Sequence, residues 1–183
     1  DTVLTGKEAL IESLEWNIHG FALFRSELLK NEFFPEDAFD SDEYVTRKMF
    51  LQSNKVAFST GTFFYRQDNE KAITRQFFKK DFFRLNTFYK IYVLLNNNLD
   101  KKYVLRSQQS LLKEYLRLKE KYKSAEFKTK EDKEEIRLFL NDFKKEHFTN
   151  SFFIKAFSKA LFGMKLKIFM SLVLLKLKIN CSN

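Results

Sequence analysis

Three features of the 183-residue sequence predict an α+β chain that is mostly α. Turn formers are scarce, with Gly 4 and Pro 1 against Phe 23, too few for a many-stranded protein and suited to helices around an aromatic interior. The C-terminal half carries apolar residues at helical spacing over long segments. Only residues 55–67 are rich in β-formers, as two short runs, VAFS and TFFYRQ, broken at Thr60-Gly61. Length allows one domain with a good core, or a compact part with an extended tail.

The first helix is announced by Thr5-x-x-Glu8, a capping box, followed by Ala9, Leu10, Leu14 and Trp16, so a helix from about Gly6 to Glu15 is expected. Trp16 to Gly20 break it. Phe21 to Phe24 form a short apolar run expected to be a buried strand, and Ser26 to Asn31 a short helix. The loop 32–41 holds the only proline and the acids Glu36, Asp37 and Asp40. Ser41 stands where a cap belongs, which puts Asp42 and Glu43 in the first turn of the next helix, where free N–H groups and the helix dipole favour carboxylates. Val45, Met49 and Phe50 give this helix an apolar side, with Arg47 and Lys48 on its solvent or partner side, and it stops near Ser53-Asn54. VAFS and TFFYRQ then read as a hairpin or a strand with a tight turn.

Beyond Thr74 the pattern becomes helical. Residues 77–98 end at Asn96-Asn97-Asn98, a helix-stop signal. Leu111, Leu112, Tyr115, Leu116 and Tyr122 recur at helical spacing within 101–124, as do Ile136, Phe139, Leu140 and Phe143 within 129–147. In 151–179, aromatic and aliphatic residues are interleaved with lysines, and the apolar run Ile168 to Leu175 is too short for a bilayer, which takes roughly 20 residues. Two readings stand for this last segment: an in-plane anchor on an anionic membrane surface, or a helix docked on its own domain.

The net charge of +9 favours polyanionic partners or simply a solubilising surface. The single Cys181 excludes an intramolecular disulfide and a Cys-based zinc site, and the N-terminus shows no basic segment followed by an apolar run of the kind a signal peptide needs.

The ordered set Asp42-Glu43-Tyr44, Thr46-Arg47, Lys55-Val56, Phe64-Tyr65-Arg66 and Ala72-Ile73-Thr74, preceded by His19 to Arg25 and Glu27-Leu28-Leu29, resembles the acceptor-side half of bacterial family-2 glycosyltransferases. The resemblance covers about the first 40 per cent of the chain, within ordinary domain size. It implies a remnant of a GT-A-type domain over 1–76, with short strands beside the acid-motif helix, followed by a bundle of amphipathic helices over 77–183. Two departures stand out: Ser41-Asp42 replaces the usual Glu-Asp, and Ala72-Ile73-Thr74 replaces Ser-Ile-Thr.

The resemblance also implies the chemistry. The whole enzyme would transfer a sugar with inversion from a nucleotide-sugar donor to a hydroxyl of a cell-surface polysaccharide or glycolipid. A divalent metal, Mg or Mn, would be held by an Asp-x-Asp motif in a nucleotide-binding half absent here, so the chain is expected to be an inactive C-terminal fragment that binds no metal itself. Asp40-Ser41-Asp42 has the spacing of that motif but sits in a proline-containing acidic loop rather than at the end of a buried strand. Asp42 is the expected base and Glu43 the fallback, with Arg47 placed to pair with Glu43. Trp16 either packs in the core or stacks on a sugar face, and His19 is either structural or a partner for a hydroxyl or phosphate. Tyr65 lies in the aromatic run, and Arg66 and Arg75 are candidates for diphosphate contacts or surface ion pairs. Processive enzymes' Gln-x-x-Arg-Trp is missing, which favours single addition. A cytoplasmic enzyme, peripheral on the inner face of the plasma membrane, is the matching location. The competing reading is a non-enzymatic basic helical module on an anionic membrane or RNA. Nucleic acid is not expected, because no RNA-binding motif with an aromatic platform is present.

Overall fold

The computed structural model describes residues 2–30, 33–62, 64, 68, 79–153 and 166–181, with side chains of the last segment from 173 to 180. Among the described residues the chain is mostly helical, with one two-stranded sheet. It divides into two units, Asp1–Thr87 and Phe88–Asn183.

In the first unit, strand β1 (Val3–Leu4) leads into helix α1 (Gly6–Leu14), followed by α2 (Ser26–Leu29), α3 (Ser41–Gln52) and strand β2 (Val56–Ala57). The capping box forms as expected: the Glu8 carboxylate accepts from the Thr5 N–H at 2.7 Å, and Thr5 Oγ1 accepts from the Glu8 N–H at 3.3 Å. Helix α1 packs on α3, burying Ala9 and Leu10 from one and Val45, Met49 and Phe50 from the other. Gly6 makes this close approach possible, because a Cβ there would fall against the carbonyl oxygens of Phe50, Leu51 and Ser53.

Val56–Ala57 pairs antiparallel with Val3–Leu4, in the register Val3 to Ala57 and Leu4 to Val56, a pairing the sequence reading did not anticipate. The close seating of α1 on the end of α3 brings the strand before α1 and the strand after α3 side by side. Most of the second run, including Tyr65 and Arg66, lies outside the described residues, as does Arg75.

Phe21 to Phe24 do not form the expected buried strand. Phe21 is 62% and Leu23 104% exposed, and only Phe24 reaches the core edge, against Phe50 with ring centroids 5.7 Å apart. The paired strands are two residues long, and so short an edge offers little to a four-residue run.

A 3-10 turn (Lys79–Phe83) with Phe82 fully buried precedes α4 (Arg84–Asn98), and the division between units falls inside this helix. In the second unit α5 (Lys101–Ser124) packs on α6 (Lys130–His147) and on α7 (Leu166–Cys181). Val104, Leu105, Leu111, Leu112, Tyr115 and Leu118 form the buried stripe of α5. Helix α6 is capped by Thr129, whose Oγ1 accepts from the Asp132 N–H at 3.0 Å. Its acids stand in the first turn and Lys144, Lys145 and His147 in the last, complementing the dipole. The imidazole of His147 stacks on Tyr89 at 3.9 Å and meets the edge of Phe143 at 4.5 Å. Helix α7 buries Leu175 and Ile179 and exposes Leu174 and Leu177, so it docks by one face on its own unit. No helix among the described residues is long and apolar enough to cross a membrane.

Two stability predictions follow from these packings. Gly6→Ala, forced against backbone carbonyls that cannot rotate away, lowers the stability of the first unit by about 1–3 kcal/mol in urea unfolding. Burial holds the His147 pKa below its ordinary value, with Glu146 opposing more weakly. The unfolded chain therefore binds the proton first, and stability present above about pH 6.5 is lost as pH falls through the lowered folded value. His147→Phe should flatten that part of the urea-midpoint profile of the full chain.

Candidate functional site

The loop that follows α1 and the first half of α3 form one surface. Helix α1 ends in a Schellman arrangement: the Asn17 N–H reaches Glu12 O at 3.1 Å and the Trp16 N–H reaches Ser13 O at 3.4 Å. Trp16 occupies the left-handed position of this motif, with φ 60°, where glycine is the usual residue. Its ring is 59% exposed. His19 follows at 5.3 Å between ring centroids with a 52° tilt, and Phe21 lies 6.2 Å beyond at 50°, giving a ledge of three exposed rings.

The ledge rests on α3. Gly20 lies so close to Thr46 that a Cβ would stand 2.7 Å from its Oγ1. Beside Thr46, the Arg47 guanidinium carbon stands 5.7 Å from the centre of the Trp16 ring, a cation–π contact. Arg47 is only 7% exposed, turned inward rather than onto the expected solvent or partner side of the helix. It is held inside because its guanidinium has three anchors there. Nη1 donates to the Glu43 carbonyl at 2.8 Å and to the Glu43 carboxylate, and Nη2 donates to Ser13 O at 3.1 Å, at the C-terminal end of α1. The expected Glu43–Arg47 pair is therefore present.

Residues four apart share a helix face, about 6 Å along the axis. Asp42 thus stands one turn from Thr46, which seats Gly20, and Glu43 one turn from Arg47, which touches Trp16. Two parallel rows connect the acid turn to the ring ledge. Asp42 is exposed, whereas Glu43 is partly covered and engaged by Arg47.

The start of α3 also differs from expectation. Asp40, not Ser41, is the cap residue, in a left-handed conformation with φ 56°, and its side chain makes no capping hydrogen bond. The carboxylate turns instead to Arg84 at 2.5 Å, since a charged fork outcompetes a single neutral N–H. The same helix start fixes the loop by its backbone: Asn86 Nδ2 donates to Asp37 O and Thr87 Oγ1 to Phe39 O, both at 2.6 Å. Arg84 also lies over the Phe39 ring at 5.6 Å. None of these partners of the acid loop was singled out from the sequence, where Arg84, Asn86 and Thr87 sit more than forty residues away in an ordinary helical pattern.

A divalent cation does not fit this acid cluster. Asp40 is committed to Arg84, and no three His, Cys, Asp or Glu side chains gather to hold a metal among the described residues. The remaining site residues read from the sequence, Tyr65, Arg66 and Arg75, lie outside the described residues.

Partial burial raises the Asp40 pKa, Arg84 lowers it less, and Asp42 and Glu43 add smaller upward pushes. The folded chain thus takes up this proton before the unfolded chain does. The stabilising contribution of Asp40 is full below the ordinary carboxylate pKa of about 4 and is lost as pH rises through the raised folded value. The urea-midpoint difference between the native chain and Asp40→Asn should therefore move in favour of the native chain as pH falls toward about 4. No protein-family model, curated protein or solved structure matches this chain.

Proposed function

We propose that the first unit is the acceptor side of an inverting glycosyltransferase that adds one sugar to a hydroxyl of a cell-surface polysaccharide or glycolipid. The observation that carries this reading is an exposed carboxylate, Asp42, one helical turn from Thr46, the residue against which Gly20 of the exposed ring ledge is seated. The resemblance of the ordered acid, arginine and strand residues to family-2 enzymes supports it from the sequence.

In this reading Asp42 is the base. The acceptor hydroxyl gives its proton to the Asp42 carboxylate while its oxygen bonds to the anomeric carbon, and the carbon–oxygen bond to the nucleotide diphosphate breaks. Glu43 suits the task less, since its carboxylate is bound to Arg47. It acts as a spacer that keeps the first turn of α3 fixed against the end of α1. Donor and divalent metal belong, in enzymes of this type, to a nucleotide-binding half that these residues do not contain.

In the enzyme that contains these residues, Asp42→Asn should lower kcat by about 100-fold or more while donor affinity is kept, because it removes the base and almost no volume. Glu43→Gln keeps a hydrogen-bond acceptor for Arg47 and should cost far less. Stopped-assay turnover with a nucleotide-sugar donor reads both. Near-normal turnover in Asp42→Asn would sink the assignment of the base, and a larger loss in Glu43→Gln would transfer it to that residue.

A further inference from the structure

We propose that the ring ledge of Trp16, His19 and Phe21 is a carbohydrate subsite that stacks on the apolar face of a neutral pyranose. The proposal rests on the reading above for the class of ligand and on the following geometry for the place.

Trp16 occupies a backbone position that suits glycine. A bulky residue at positive φ is strained by about 1–3 kcal/mol, and such strain persists where the side chain is needed. Burial does not account for it, because the ring is 59% exposed. The ring instead has one side occupied by the buried Arg47, 5.7 Å below its centre, while much of its surface remains open. An arginine beneath an indole fixes the plane of the ring, so a ligand meets a flat surface already oriented.

The charge around the ledge selects the ligand. Glu12 and Glu15 stand at the C-terminal end of α1 and Asp42 and Glu43 in the first turn of α3, Glu12 accepting from Asn17 Nδ2 at 2.6 Å, and the Arg47 guanidinium against the Trp16 ring is paired with Glu43. Carboxylates repel phosphate, so a nucleotide, an RNA or an anionic membrane is disfavoured despite the net charge of +9. They accept hydrogen bonds from hydroxyl groups. A ligand with an apolar face of C–H bonds and a rim of neutral hydroxyls meets both demands, and a pyranose is such a ligand.

Trp16 is the only tryptophan, so emission of the 183-residue chain reports on this ledge alone. The full chain is titrated with methyl β-glucoside, methyl β-galactoside, methyl α-mannoside and, as the anionic control, uridine monophosphate. Saturation-transfer NMR is run in parallel. At least one glycoside should give a saturable blue shift, with transfer strongest to the ring protons of one face. Trp16→Gly should weaken its binding at least tenfold while leaving the urea midpoint unchanged or higher, since glycine relieves the left-handed position. Trp16→Phe should restore part of the binding. The proposal is overturned if no glycoside saturates up to about 100 mM, far above a weak Kd of about 1 mM. It is equally overturned if uridine monophosphate binds as well as the best glycoside, or if Trp16→Gly lowers the midpoint and keeps the binding. Glycoside binding without Asp42-dependent turnover removes the transferase reading alone, and Asp42-dependent turnover indifferent to Trp16→Gly removes the subsite alone.

Discussion

The first unit depends on one guanidinium. Arg47 joins the start of α3 to the end of α1 by donating to Glu43 and to Ser13 O, and it underlies the Trp16 ring. Placing a charge at 7% exposure is tolerable because its carboxylate partner is on the same helix and a C-terminal carbonyl of α1 adds negative potential. Its Nε remains buried without a hydrogen-bond partner, so the group is not satisfied fully even so. Replacing it with a lysine would supply charge but not the fork that reaches two helices at once. The geometry of the acid turn and that of the ring ledge are therefore set by the same side chain.

A second constraint acts from the far end of the unit. The loop before α3 has no regular structure of its own, and its backbone carbonyls at Asp37 and Phe39 are satisfied by side chains at the start of α4. Asp40 adds the ion pair with Arg84 and gives up its capping role to do so. The N-terminal turn of α3, with Asp42 and Glu43, is thus oriented from both sides: by Arg47 toward α1 and by Arg84 toward α4.

Local signals made much of this fold readable. The capping box at Thr5 and Glu8, the acids at the start of α3, the Asn96-Asn97-Asn98 stop and the apolar stripes of α5 and α6 all express chemistry within four residues, and each appears where the sequence puts it. What the sequence hid is nonlocal. The pairing of Val56–Ala57 with Val3–Leu4 depends on how closely α1 approaches α3, and that depends on the missing side chain of Gly6. Phe21 and Leu23 look like strand residues by composition, but an apolar run becomes a buried strand only if a sheet edge receives it. Arg47 was expected on the solvent or partner side because a lone arginine on a helix carries no sign of the carbonyl awaiting it on another one. The Glu43–Arg47 spacing was legible, as was the pairing itself; its burial was not.

The pairing of Val3 with Ala57, and the contacts of Asp37 and Phe39 with Asn86 and Thr87, also bear on how the first unit forms. Both join chain segments about fifty residues apart, and each must close a long loop before its contacts offset the lost chain entropy. During synthesis α1 gains its packing on α3 only after α3 has followed it, and the acid turn gains its second support only when Thr87 has left the ribosome. Helices α5 and α6, adjacent in sequence and capped locally, face no such wait. The unit that carries the candidate site is therefore the one whose assembly is slower to begin, and its apolar surfaces at Leu10 and Phe50 are those a chaperone would meet first.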